Sequence, residues 1–491
     1  MKEEMKKLLI VVFLSICTGS FAQADLSARR MADLANQIDT IINQNSQKNV
    51  KYSVHIIKAH NGEEVYSHYA ARPLIPASNM KIITTAAALK YLGPDFKYET
   101  KVGLWHGLPA REDTARMAVL PLVIIGSGDP LLGDQKTDAK YGRQAGWIFE
   151  DIAAALKQNG VQTIKDIIID TSVFDDQRVH PNWPKEDLNR WYACEVCGLN
   201  YNNNCIEVTT KNVGGKVSVF IEPRTDFVKI INKIKPISKG TSGVGSYRTI
   251  EENKIIIQGK CNNQAGPFDV AIERPAAFFG YLLAERLAKS GIKVQGQFIE
   301  KKLDGNSGLK VLVQYDTLLS DCLARCNKDS LGLAAEALLK TIAAHGSPNK
   351  KNGSWAGGQE LISQYLSKLG IDEAQFNIDD ASGLSEENKL SANTITKVLF
   401  NIYKSPDWSL YKDSLAIGGI DGTISRYFTK PKYKGKIIAK TGYINKVKSF
   451  SGVCETVKGD YLFSILANNA NAQTRTAIND IAEAIIDEAV E

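Results

Sequence analysis

The spacing of apolar and polar residues predicts a helix and a hairpin at the start of the chain. Residues 25–44 carry apolar side chains at helical spacing, which is typical of an amphipathic helix. Two strand-like runs, 52–57 and 64–69, follow on either side of Asn61-Gly62. Because Asn-Gly fits the tight turn that joins two antiparallel strands, these runs predict a β-hairpin.

The middle of the chain has a different pattern, which predicts an insertion. From Tyr98 to Gly266, short strand-like runs alternate with glycine and asparagine, as expected of one or two small strand-rich domains. The helical pattern from Pro275 to Gly291 then resembles a return to the first domain. The last third predicts an antiparallel meander followed by a closing helix, at residues 436–442, 447–455, 461–468 and 474–490.

These elements predict an α/β fold, with an antiparallel sheet covered by helices on both faces. Strands from the two ends of the chain can close one sheet, since the chain starts with a hairpin and ends with a meander. We expect a leader at 1–24, a main domain formed by 25–97 and 267–491, and inserted accessory domains at 98–266.

The first residues have the pattern of a secretory signal. A basic start precedes an apolar run from Leu8 to Phe21, and small residues follow, so that cleavage after Ala22 or Ala24 is expected. The run is too short for a comfortable membrane span. Cys17 follows a bulky isoleucine, which disfavours lipid attachment. We expect an exported protein of the periplasm or cell envelope, with no membrane span after cleavage.

Charge and cysteine content exclude some classes of function. The net charge of +6 is spread along the chain, whereas a nucleic-acid-binding protein needs a concentrated basic face. Eight cysteines are present, and seven remain once Cys17 leaves with the leader. Their spacing does not match a zinc site, so we expect no structural metal. Disulfides and buried free thiols both remain open, and the oligomeric state is undetermined.

The chemistry-bearing stretch is Ser78-Asn79-Met80-Lys81, where a loop turns into an apolar helix. Residues three apart share a helix face, so the Ser78 hydroxyl and the Lys81 amine can lie side by side. Burial of Lys81 would lower its pKa, and a neutral lysine beside a serine can activate the hydroxyl as a nucleophile. An ordinary capping serine and a surface lysine would give the same pattern.

A second stretch, Lys440-Thr441-Gly442, lies in the first strand of the predicted meander. A lysine beside a hydroxyl can hold a carboxylate through charge-assisted hydrogen bonds, and a glycine allows close approach of a ligand to the backbone. A strand-edge lysine before a turn glycine is the alternative interpretation. Between the two stretches, Ser330 opens a predicted helix.

In this order, Ser78-x-x-Lys81, Ser330 and Lys440-Thr441-Gly442 resemble the penicillin-recognising serine acyl-transferases. The closer resemblance is to the D-alanyl-D-alanine carboxypeptidase/endopeptidase family, the low-molecular-mass class C penicillin-binding proteins. Further stretches that resemble this family are 126–130, 327–330, 335–338, 380–385, 419–423 and 449–452.

The resemblance implies a penicillin-binding transpeptidase-like domain, with its long insertion at 98–266, and a serine carboxypeptidase. The substrates would be peptidoglycan peptides, β-lactams would inhibit, and neither a cofactor nor a metal is required. The implied catalytic residues are Ser78, Lys81 and Ser330. The implied substrate-binding residues are Lys440, Thr441, Gly442, Tyr443 and Asp187, with the N–H of Tyr443 in the oxyanion hole.

One position departs from the family pattern. The family's middle motif is Ser-x-Asn, but here it reads Ser330-Leu331-Gly332, so that an amide is missing. Either another amide fills the gap, with Asn327 the candidate, or the enzyme is slowed or retuned. Two alternative functions stay open: a β-lactamase of the same fold, and a catalytically impaired protein that binds peptidoglycan.

Overall fold

The architecture is given by a computed structural model that describes residues 31–106, 119–303, 308–346 and 352–490. The predicted leader at 1–24 and the first residues of the predicted helix at 25–44 lie outside the described residues. Residues 31–42 of that helix are helical, as the apolar spacing predicts.

The helices mostly follow the predicted periodic segments. In chain order they are α1 (31–42), α2 (Met80–Leu92), α3 (Gln135–Lys140), α4 (Trp147–Gln158), α5 (Pro275–Lys289), α6 (Leu319–Lys328), α7 (Gly332–Gly346), α8 (Trp355–Lys368), α9 (Ala392–Tyr403), α10 (Trp408–Ser414) and α11 (Thr474–Val490).

The strands are concentrated near the two ends and in the middle of the chain. In order they are β1 (Lys51–Lys58), β2 (Glu64–His68), β3 (Lys97–Trp105), β4 (Leu122–Ile125), β5 (Thr163–Ile164), β6 (Ile167–Asp170), β7 (Cys205–Val213), β8 (Lys216–Glu222), β9 (Lys229–Pro236), β10 (Gly243–Arg248), β11 (Lys254–Cys261), β12 (Gln264–Ala271), β13 (Lys293–Val294), β14 (Phe298–Glu300), β15 (Leu309–Leu318), β16 (Phe376–Asn377), β17 (Lys389–Leu390), β18 (Ala416–Ile417), β19 (Ile437–Ile444), β20 (Val447–Cys454) and β21 (Tyr461–Asn468).

The main sheet has six strands in the order β18-β19-β20-β21-β1-β2, and every neighbouring pair is antiparallel. The predicted hairpin is β1–β2 and the predicted meander is β19–β20–β21. Strand β1 also pairs with β21, with Val54 opposite Ile465, so the two ends of the chain close one sheet. The predicted fold class is therefore confirmed.

Helices cover both faces of this sheet because successive strand residues point to opposite sides. On one face, Ile438 and Leu466 pack in a core with α2, α7 and α9. On the other face, Phe450 and Phe463 pack with α1 and α11. The first of these cores carries α2 and α7, which begin at the two serine-bearing stretches.

The insertion contains a five-stranded sheet in the order β14-β6-β4-β3-β15 and two three-stranded sheets, β12-β7-β8 and β10-β11-β9. The side chains of β7, β11 and α5 share one hydrophobic core, to which Ile206, Ile257 and Phe278 belong.

Two elements that follow the predicted boundary at 266 contact the sheets of the insertion. Helix α5 packs on the five-stranded sheet instead of returning to the first domain, and β15 pairs with β3 from Leu309 opposite Trp105 to Leu318 opposite Lys97. We therefore propose that the inserted unit spans residues 97–318. The periodicity of α5 shows that one face is buried, but it does not show which sheet covers that face.

The sequence left open whether the cysteines form disulfides or stay free. All seven cysteines that the structure describes are buried free thiols. The described residues contain no helix that is long and apolar enough to cross a membrane. They also contain no cluster of three His, Cys, Asp or Glu side chains that could hold a metal ion.

Candidate active site

Ser78 lies in a single 3-10 turn, Ala77–Asn79, that leads into α2. Ala77 has φ 47°, a left-handed conformation that is uncommon for a residue with a Cβ and that often marks a functional site. The turn presents the half-buried Ser78 at the mouth of the helix, where unpaired backbone N–H groups favour negative charge. One turn further on, Nζ of Lys81 lies 3.2 Å from Oγ of Ser78.

Lys81 is only 2% exposed, and its amine donates hydrogen bonds to Ser78 and Ser382. Its Nζ donates to the carbonyl oxygen of Ser382 at 2.8 Å. Burial lowers the pKa of Lys81 below its usual value, and the nearby carboxylates of Glu336 and Asp380 only partly oppose this effect. The environment therefore favours the neutral amine, which can accept a proton from the Ser78 hydroxyl.

A second serine–lysine pair faces the same space. Nζ of Lys440, on β19, donates to Oγ of Ser330 at 2.9 Å and to the carbonyl of Thr441 at 2.8 Å. Ser330 has φ 61°, so strain again accompanies a serine just before a helix. Burial holds the pKa of Lys440 well below its usual value, and a charge on Lys81, in the state where that amine is protonated, lowers it further. A bound anion would counter both effects and stabilise the charged amine.

The end of β19 passes directly beside the Ser78 turn. A Cβ placed on Gly442 would lie 3.0 Å from the backbone nitrogen of Ser78 and 2.9 Å from the carbonyl oxygen of Pro76. Oγ of Ser449, on the neighbouring strand, donates to that same Pro76 carbonyl at 2.6 Å. Gly442 is therefore required for the close approach, which brings the backbone of Tyr443 near the Ser78 hydroxyl.

Most of these groups line a cavity of about 1010 Å³ between the main domain and the insertion, whereas Lys440 is fully buried and bonds to Ser330 in the cavity wall. Its wall includes Ser78, Lys81, Ser330, Thr441 and Tyr443, and the insertion supplies residues 181–184, 186–187 and 191–192. Asp187 faces this cavity and accepts a hydrogen bond of 3.0 Å from the hydroxyl of Tyr192. The structure thus brings most of the sequence-predicted site residues to one cavity, while Lys440 and Gly442 contact its wall at Ser330 and at the Ser78 backbone.

Gly332 also lines the cavity, and the packing of the insertion against it explains why this residue has no side chain. A Cβ on Gly332 would lie 2.8 Å from the carbonyl oxygen of Tyr192, so the backbone of the insertion occupies the space that a side chain would need. The amide of Asn327 does not fill the gap, because it is buried and donates to Thr85 and Ser414. The hypothesis that Asn327 replaces the missing amide is wrong.

Sequence reasoning missed Glu336, a buried carboxylate that holds the backbone of Ser382, the residue whose carbonyl accepts a hydrogen bond from Lys81. Glu336, on α7, accepts hydrogen bonds from the backbone N–H groups of Ala381 at 3.1 Å and Ser382 at 2.8 Å, and from Nε1 of Trp355 at 2.8 Å. Burial, and then the charge of Asp380, raises the pKa of Glu336 to about 7. The stretch 335–338 was part of the family resemblance, but nothing in its spacing showed what Glu336 contacts.

Asp380 fixes the same loop from within. Its carboxylate accepts hydrogen bonds from the backbone N–H groups of Gly383 at 2.7 Å and Ser385 at 2.8 Å. Trp183 of the insertion donates its indole N–H to the same carboxylate at 2.9 Å. The loop beside Lys81 is thus tied to α7 and to the insertion.

Two further residues approach the β19 side of the cavity. The hydroxyl of Thr441 donates to that of Thr423 at 2.8 Å, so a second hydroxyl lies beside Thr441 in the cavity wall. The guanidinium of Arg475 donates to the carbonyl of Gly442 at 3.3 Å. This contact holds the peptide group whose N–H belongs to Tyr443.

Comparison with known proteins gives consistent results. A model of the D-Ala-D-Ala carboxypeptidase 3 (S13) family matches residues 34–487. A D-alanyl-D-alanine carboxypeptidase of Actinomadura sp. (strain R39) is 28% identical over 486 residues, which cover 95% of this chain and 87% of that protein. The D-alanyl-D-alanine carboxypeptidase DacB of Haemophilus influenzae is 25% identical over 79% of this chain and 78% of its own length.

The fold is also similar to that of solved structures. The crystal structure of penicillin binding protein 4 (dacB) from Haemophilus influenzae superposes with a TM-score of 0.75 at 22% identity, over 93% of this chain and 98% of that one. The same protein complexed with a β-lactam gives a TM-score of 0.70 at 20% identity, with the same coverage.

Proposed function

The chain belongs to the D-Ala-D-Ala carboxypeptidase 3 (S13) family, and on this premise we propose that it is a serine carboxypeptidase acting through an acyl-enzyme on Ser78. Its substrate is a peptidoglycan peptide that ends in D-alanyl-D-alanine. The observation that carries the proposal is that one cavity is lined by the Ser78–Lys81 pair and by Ser330, whose hydroxyl accepts a hydrogen bond from the buried Lys440.

In the first step, Oγ of Ser78 attacks the carbonyl carbon of the penultimate residue, and the neutral amine of Lys81 takes its proton. The distance of 3.2 Å between Nζ and Oγ supports direct transfer. The Ser382 carbonyl orients the amine, since it accepts a hydrogen bond from Nζ at 2.8 Å.

The negative charge that develops on the carbonyl oxygen is stabilised by the backbone N–H groups of Ser78 and Tyr443. The close packing of Gly442 against the Ser78 nitrogen supports this pairing. The contact between Arg475 and the Gly442 carbonyl orients the second donor, because that carbonyl and the Tyr443 N–H share one peptide group.

The leaving D-alanine is released by the second pair. The terminal carboxylate binds Lys440 and the hydroxyl of Thr441, and its charge offsets the burial that disfavours the lysine cation. Ser330 then passes its proton to the departing amine as the peptide bond breaks, and the proton that Lys81 took from Ser78 is relayed across the cavity to Ser330, which leaves Lys81 neutral again. In the second half of the reaction, water attacks the acyl-enzyme, Lys81 takes a proton from the water, and it returns that proton to Oγ of Ser78 as the ester bond breaks.

Asp187 contacts the side chain of the substrate's third residue in this proposal. Its support is its position in the cavity wall, where Tyr192 holds its carboxylate. A β-lactam presents a similar carboxylate and acylates Ser78, so that it inhibits the enzyme.

We place the protein in the cell envelope, exported by a leader at residues 1–24. The support for this placement is the basic, apolar and small-residue pattern of the first residues.

The nucleophile assignment is tested with a fluorescent penicillin. We expect the wild-type protein to be labelled covalently and Ser78→Ala to remain unlabelled. Ser67→Ala, at an exposed position on β2, is the matched control and labels like the wild type. Labelling of Ser78→Ala would refute the assignment. Rapid release of the label from the wild type would favour the β-lactamase alternative.

A further inference from the structure

The outer face of the small sheet β10-β11-β9 in the insertion carries a row of lysines. Successive strand residues alternate between faces, so Lys229, Lys233 and Lys235 project from one side of β9. Strands β9 and β11 are parallel, and their register puts Lys254 opposite Lys229 and Lys260 opposite Lys235. The lysines therefore form two adjacent rows.

This face has no internal charge compensation on its own strands. The sequences of β9, β10 and β11 contain no Asp or Glu. Lys254 pairs with Glu251 at 2.7 Å, but the other four lysines are exposed and form no ion pair with any residue that the structure describes. Glu251 interacts with both lysines of the opposite pair Lys229 and Lys254, whereas the pair Lys235 and Lys260 has no acidic residue on these strands, so a bound anion would offset the repulsion there.

The dimensions of the face suit an extended polymer. Lys229 and Lys235 lie six residues apart on one strand, which corresponds to about 20 Å, and neighbouring strands lie about 4.8 Å apart. The half-buried Ile231 and Ile256 lie between the lysines, and Tyr247, which is 48% exposed, lies beside Ile256 on β10. An aromatic ring at the edge of a cationic strip can stack on a sugar or peptide group.

The sheet is also connected to the wall of the cavity. The side-chain amide of Asn189 is buried and donates to Oγ of Ser246, on β10, at 3.0 Å. Asn189 lies in the chain between Asp187 and Trp191, and both of these residues line the cavity. A polymer bound to the lysine face would therefore be held by the same unit that forms one side of the site.

We infer that the lysine face (Lys229, Lys233, Lys235 and Lys260) binds the carboxylate-bearing peptide stems of a peptidoglycan strand. This inference rests on the proposed function, because it takes the substrate polymer as the partner. Carboxylates along a polymer complement the two rows of ammonium groups. A membrane surface fits less well, since only half-buried isoleucines lie between the lysines, and the exposed Tyr247 and Ile250 lie on the edge strand and in the turn that follows it.

The test compares a quadruple variant with a control of equal charge change. Lys229→Gln/Lys233→Gln/Lys235→Gln/Lys260→Gln removes the face. Lys90→Gln/Lys157→Gln/Lys289→Gln/Lys368→Gln removes four exposed lysines from other elements. Each protein is sedimented with purified insoluble peptidoglycan at low and high salt. We expect the apparent Kd of the face variant to rise roughly tenfold or more, and that of the control to stay near wild type.

Three further measurements separate the possible outcomes. Fluorescent penicillin labelling and release of D-alanine from a soluble peptide should be unchanged in both quadruple variants. If the wild-type protein shows neither activity, the proposed function itself is refuted. Peptidoglycan whose carboxylates have been amidated should lose its affinity for the wild type. Equal sedimentation of the two variants, or binding that requires anionic lipid vesicles instead of peptidoglycan, would overturn the inference.

Discussion

Replacing Glu336 with glutamine tests whether this buried carboxylate positions the base. Both of its oxygens accept hydrogen bonds, one from the Ser382 N–H and the other from the Ala381 N–H and Trp355 Nε1. Glutamine offers only one oxygen, and its NH₂ group would face an N–H donor. At least one buried donor is therefore left without a partner.

The size of the effect follows from this count. A buried polar group left unpaired costs about 1–3 kcal/mol. Where the loop shifts to relieve that cost, the Ser382 carbonyl moves away from Nζ of Lys81, which it now contacts at 2.8 Å. If the cost appears in the acylation barrier, the rate of labelling by penicillin falls by about 5- to 150-fold.

The assay is the second-order rate of penicillin labelling, measured together with the thermal unfolding temperature. Trp355→Phe is the structural control, because it removes one partner of Glu336 but keeps both bonds to the loop. We expect it to lose stability while labelling at close to the wild-type rate. Glu150→Gln, on the exposed side of α4, controls for the chemical change itself. If folded Glu336→Gln is acylated as fast as the wild type, the positioning role is refuted.

Two other predictions concern Gly332 and Lys81. Gly332→Asn restores the family motif but places Cβ 2.8 Å from the Tyr192 carbonyl oxygen. Such overpacking costs about 1–3 kcal/mol. If this cost appears in the acylation barrier, penicillin labelling should slow by about 5- to 150-fold. Gly243→Asn, at an exposed position on β10 with open space around it, is the control, and faster labelling of Gly332→Asn would contradict the steric argument. Lys81 must be neutral to act as base, and burial lowers its pKa below 10.5, so labelling should rise with pH through that lowered pKa and then level off. A rate that is still rising at pH 10.5 would show that Lys81 has an ordinary pKa.

The sequence by itself was sufficient for the local parts of the site. The spacing of Ser78 and Lys81 places two side chains on one helix face, because helical geometry fixes which residues are neighbours. The Asn61-Gly62 turn and the run of three strands at the end of the chain predict the hairpin and the meander for the same reason. Each of these features depends on residues that are close in the chain.

Only the tertiary structure decided which distant groups meet. Lys440 bonds to Ser330 across 110 residues, and Glu336 holds the N–H of Ser382 across 46. The proposed end of the insertion at Leu318 depends on the pairing of β15 with β3, and the loss of space at Gly332 depends on the Tyr192 backbone. Backbone geometry repeats with a fixed period and can be read from a short segment, whereas the packing of one segment on another depends on the shapes of both.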